Sequence, residues 1–141
     1  MRARVWGALA EWVVIERGVT SVLTEVECLR TLDRLRVTPG VAEGEVALRR
    51  QTVVALLRST ETVELSTPIL RGASQPPPVT VGTLDALHLA AALLWRDYAG
   101  IDLMMATHDA ALASAARAMG LVILGAWRGE MTWPTPSCEE N

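Results

Sequence analysis

Short runs of β-branched and apolar residues alternate with segments of helical periodicity, and this alternation constrains the fold more than any other feature of the chain. Extended runs fall at 13–20, 62–67 (TVELST), 101–107 (IDLMMAT) and 121–126 (LVILGA). Helical patterns occupy 2–12, 21–36, 42–58, 83–98 and 108–120. The joins are too short for hairpins, whereas parallel strands need a crossover that is usually a helix. The order therefore predicts a parallel sheet with helices on both faces.

Individual residues sharpen these elements. Ser21 is a natural N-cap, and Val22, Val26, Leu29, Leu32 and Leu35 recur behind it at helical spacing. In the next helix Val46, Val53, Val54 and Leu57 point inward. Pro68 opens a short helical turn, and the three successive prolines of GASQPPPVTVG make that segment a loop. Gly120 closes the helix before the last strand. The segment TLDALHLAAALL (83–94), capped by Thr83, is almost entirely Ala and Leu, so burial is expected on most of its circumference. Asp85 nevertheless stands in its first turn. A carboxylate taken out of water needs a partner, a metal or a role.

Composition excludes several kinds of chemistry. All 13 basic residues are Arg, so lysine phosphate loops, Schiff bases and lysine general bases are ruled out. With a net charge of −3 and a pI near 5.4, tight phosphate binding through counterion release alone is not expected. Bound metal could reverse the local sign. Cys28 and Cys138 lack metal or redox spacing, which fits a reduced compartment. The two histidines, His88 and His108, make a zinc site improbable. Glu11 interrupts the apolar start, and no run approaches the ~20 residues of a membrane helix. The expectation is a cytoplasmic protein without a membrane span. Its mean hydropathy of +0.27 hints at a face covered by a partner.

Ligands of open parallel sheets bind at the carboxyl ends of the strands, near the starts of the following helices. Glu25, Asp85 and Asp109 map there, whereas Glu27, Asp33, Glu43, Glu45 and Asp97 read as solvated acids on helix faces or in loops. Singly, each of the three has an ordinary reading as a cap or first-turn carboxylate. Three at one edge point instead to a hard divalent cation, which relieves their mutual repulsion and activates water for phosphodiester hydrolysis. His88 shares a helix face with Asp85; a hydrogen bond to a neighbour is its ordinary reading and general-base work the sharper one. Arg30 is expected to pair with Glu27 or Glu25, and Trp6, Trp12 and Trp95 to serve as core or interface residues.

The segments VTSVLTEVECLR (19–30), GTLDALHLAAAL (82–93) and MMATHDAALASAARAMGL (104–121) resemble, in order and spacing, signature regions of the PIN-domain ribonucleases, above all VapC toxins of bacterial toxin–antitoxin pairs. The similarity covers 2–126, which sets a PIN-like domain at 1–126 and a tail at 127–141. It implies a three-layer sandwich with a parallel sheet flanked by helices. It further implies that Glu25, Asp85 and Asp109 hold Mg²⁺ or Mn²⁺, and that Thr107 orients water or phosphate. RNA is the implied substrate, a cognate antitoxin the implied inhibitor, and a homodimer the implied assembly.

One departure matters. The family's first acid lies in an opening strand, but no Asp here precedes Asp33. The segment MRARVWGALAEW instead resembles the helix that follows that strand, so the N-terminal strand is expected to be absent and the chain to start internally. A catalytically impaired homologue that keeps antitoxin binding and dimerisation is one alternative. A DNA-directed nuclease on the same fold is another.

Overall fold

A computed structural model describes residues 17–125. The expected helix at 2–12, Trp6, Trp12, Cys138 and the tail at 127–141 lie outside the described residues.

The chain is α/β. Strand β1 (Val19–Ser21) leads into helix α1 (Val22–Arg36), followed by α2 (Glu43–Arg58) and β2 (Glu61–Val63). The short helix α3 (Thr67–Ala73), α4 (Thr83–Ala99), β3 (Met104–Ala106), α5 (Ala110–Ala118) and β4 (Val122–Leu124) complete it. Both strand pairings are parallel. Val19, Thr20 and Ser21 lie opposite Glu61, Thr62 and Val63, while Met104, Met105 and Ala106 lie opposite Val122, Ile123 and Leu124. Helices cross between the members of each pair, as parallel pairing requires. In place of one continuous sheet, the described strands form two separate pairs. Among the described residues no helix is long and apolar enough to cross a membrane.

Local chemistry explains the element boundaries. Ser21 caps α1, its Oγ accepting from the Leu23 N–H at 3.2 Å. Helix α1 ends ahead of Pro39 and Gly40, the latter at φ 84°. Ser66 stands at the N-cap of α3, with Pro68 in the first turn where its missing N–H costs nothing. The N-cap of α4 is Gly82 rather than Thr83, which places Asp85 at the third helical position. Gly100 ends α4 in the left-handed conformation at φ 63°, its N–H returning to the Arg96 carbonyl.

The main core sits between α4, α5 and the second strand pair. Leu89, Leu112, Ala115, Ala116 and Leu121 are buried together, with Val81, Leu103, Met105 and Ile123 packed against them. Two alanines at 0 % exposure let α5 approach closely. Helix α3 packs on α4 through a comparable close approach, since a Cβ at Gly72 would stand 3.4 Å from that of Ala90. Ile69 fills the rest of that contact at 1 % exposure.

Three expectations about burial fail. Helix α4 is not covered on most of its circumference: Leu89 and Ala91 are buried, but Leu84, Leu94 and Tyr98 are exposed. Val26 of α1 is 57 % exposed, so its apolar stripe is narrower than the sequence spacing implied. Strand β3, an apolar run that reads as a buried strand, is exposed at Met104 (59 %).

Candidate functional site

A cavity of about 510 Å³ opens between the two strand pairs. One side is β1 with the start of α1; the other is β3 with Thr107; one face of α4 lies along it through Asp85, His88, Ala92 and Trp95. Neither β1 nor β3 has a second strand against it among the described residues, and both line this cavity.

Asp85 and Thr107 both line the cavity. Asp85 turns back toward the start of its helix: a Cβ at Gly82 would come within 3.2 Å of its Oδ2. That is the ordinary placement of a third-position carboxylate, next to unsatisfied N–H groups and the positive end of the helix. The Oγ1 of Thr107 accepts from the Asp109 N–H at 3.1 Å, and the Thr107 N–H extends the β3–β4 ladder to the Leu124 carbonyl at 3.1 Å. The hydroxyl is thereby anchored as an acceptor, and its own hydrogen remains available to donate.

Glu25 and Asp109 do not join them. Glu25 is exposed and lies outside the cavity wall. Asp109 is exposed and caps α5, its Oδ1 accepting from the Leu112 N–H at 2.7 Å, which is the ordinary reading of that acid. The expected gathering of Glu25, Asp85 and Asp109 is therefore not found. Among the described residues no group of three or more His, Cys, Asp or Glu side chains stands close enough to hold a metal.

The acid that faces the cavity from α1 is Glu27, read from sequence as a solvated surface charge. Its Oε2 lies 2.6 Å from His88 Nε2, a bond joining positions 61 residues apart. Residues two apart on a helix face different ways, so Glu25 and Glu27 cannot serve the same wall. Thr24 and Glu27, three apart, do share a face, and both line the cavity. Arg30 reaches neither glutamate and stands instead 3.9 Å from Asp33. His108 is exposed at the end of its strand, with Nδ1 on the Gly125 carbonyl at 3.1 Å.

Charge around the cavity is uneven. Burial, helped by the nearby Glu27 charge, pushes the Cys28 thiol above its ordinary pKa. At the opposite end Arg17 pairs with Glu61, and its guanidinium lies over the Trp95 ring at 5.3 Å. The hydrogen bond with Arg17 holds the Glu61 carboxyl below its usual range. Trp95 Nε1 is buried with no acceptor among the described residues.

Two carboxylates and a hydroxyl form an oxygen-rich set suited to a hard cation. Mg²⁺ often takes only one or two protein carboxylates and fills its shell with water and phosphate. Glu27 and Asp85 fit that requirement; Glu25 and Asp109 are turned away from it. Comparisons with protein-family models, curated proteins and solved structures find no match.

Proposed function

We propose that this chain is a PIN-like, VapC-type domain that hydrolyses RNA phosphodiesters with a divalent cation, is neutralised by a cognate antitoxin and acts as a homodimer. The observation that carries the reading is that Asp85 and Glu27, from helices far apart in sequence, line one cavity together with Thr107. Among the described residues β1 and β3 each leave one edge without a partner strand, and both line this cavity.

Asp85 and Glu27 are the residues that hold the cation. Bound there, Mg²⁺ or Mn²⁺ supplies Lewis-acid activation of water and positive charge against the phosphate. With a net charge of −3 the chain has no general attraction for a polyanion, so the binding of RNA must depend on that local reversal of sign. Thr107 donates its hydroxyl hydrogen toward a phosphate oxygen, while the Asp109 N–H keeps the oxygen in place. Asp109 contributes through its backbone and its cap.

Calorimetric titration of Mn²⁺ and cleavage of a fluorescent single-stranded RNA test the reading. Asp85→Asn and Glu27→Gln each lower cation affinity by more than the ~10–100-fold that an outer-shell partner costs, and cleavage falls with it. Glu25→Gln changes neither. Equal cleavage by wild type and Asp85→Asn would refute the assignment. A second reading, a catalytically impaired PIN-like binding module, is favoured by the turning away of Glu25 and Asp109. It predicts antitoxin binding without cation-dependent cleavage.

A further inference from the structure

We propose that His88 is a positioning residue, which fixes the Glu27 carboxylate on the cavity that Asp85 also lines and so sets the affinity of the cation site. The inference rests on the metal-dependent reading above and extends it to a side chain outside the coordinating set. An ionised carboxylate offers only acceptors, so at 2.6 Å the Nε2 of His88 carries the hydrogen and donates it.

The two partners are unequally fixed. The His88 side chain is 18 % exposed on the cavity face of α4, one helical turn from Asp85, whereas that of Glu27 is 40 % exposed. A glutamate is long, and holding it in one rotamer costs entropy unless something restrains it. His88 is that restraint. Among the described residues no other hydrogen bond or ion pair joins α1 to α4, so this contact sets the position of one carboxylate relative to the other. Hydrogen bonds from outside a coordination shell orient the ligands within it, and their loss typically costs about 10–100-fold in metal affinity.

The test is Mn²⁺ affinity of the full chain, read by electron paramagnetic resonance of the free ion at one fixed pH, with thermal unfolding measured on the same samples. His88→Ala weakens Mn²⁺ binding about 10–100-fold. His88→Gln, whose amide can donate to the same carboxylate, recovers most of that loss. Adding His88→Ala to Glu27→Gln costs nothing further, because there is no longer a charged carboxylate to position. A merely structural histidine would lower the unfolding temperature in both backgrounds without this non-additivity. If His88→Ala fails to fold, His88→Gln against Glu27→Gln and their double variant carries the comparison. Unchanged affinity in His88→Ala, or strictly additive losses, overturns the proposal alone. A wild-type chain that takes up no Mn²⁺ overturns the metal-dependent reading together with it.

Discussion

Asp109 and Asp85 stand near the starts of their helices, yet they occupy different positions there. Asp109 is the N-cap itself, with its carboxylate engaged by the Leu112 N–H. Asp85 is one turn inside and open to the cavity. Replacing Asp109 with Ala should therefore cost about 1 kcal/mol of stability, while Asn, which also caps, should cost only a few tenths. Urea unfolding midpoints with an unchanged slope check this. RNA cleavage by Asp109→Asn should match wild type, and a collapse of activity would return Asp109 to the cation site. At Cys28 the raised thiol pKa predicts slow reaction with a disulfide reagent in the folded chain and faster reaction after denaturation. Glu27→Gln removes the smaller, electrostatic part of that shift and should modestly speed the native reaction. The place of Asp85 in the first turn of its helix was legible in the sequence from the element boundaries, whereas Thr107 was marked only by the family resemblance. The choice between Glu25 and Glu27 was not settled by type or exposure, because both are glutamates on one short stretch of helix.

At the scale of elements, caps and close approaches decide where helices stop and how near they come. Gly100 holds α4's end at φ 63°, where an alanine is strained, and Gly100→Ala should destabilise the chain by about 1 kcal/mol. Ala116, at 0 % exposure in the contact of α5 with the core, has no room for a larger side chain. Ala116→Leu should cost roughly 1–3 kcal/mol, measured by denaturant unfolding. The Arg17–Glu61 pair fastens the chain just before β1 to the start of β2. Because the folded-state pKa of Glu61 is depressed, its contribution is present at neutral pH and lost as pH falls through the lowered value. Both side chains are exposed, so the effect is small and high salt should erase it. Comparing the acid limb of stability in wild type and Glu61→Gln, at low and high salt, checks the sign.

At the scale of the molecule, the decisive feature is that the described strands of a parallel architecture divide into two pairs, with a cavity between edges that have no partner strand among the described residues. Unpaired strand edges are sites for another strand. Element types and most boundaries followed from the sequence alone, because periodicity, Ser21, Pro68 and the terminal glycines act locally. The parallel sense of pairing followed too, since helical crossovers allow little else. Only the tertiary structure decided that the strands form two pairs, that α4 leaves Leu84 and Leu94 exposed, and that Glu27 meets His88. Those outcomes depend on which surfaces find a partner across 61 residues or more of intervening chain, and no local pattern of residues carries that information.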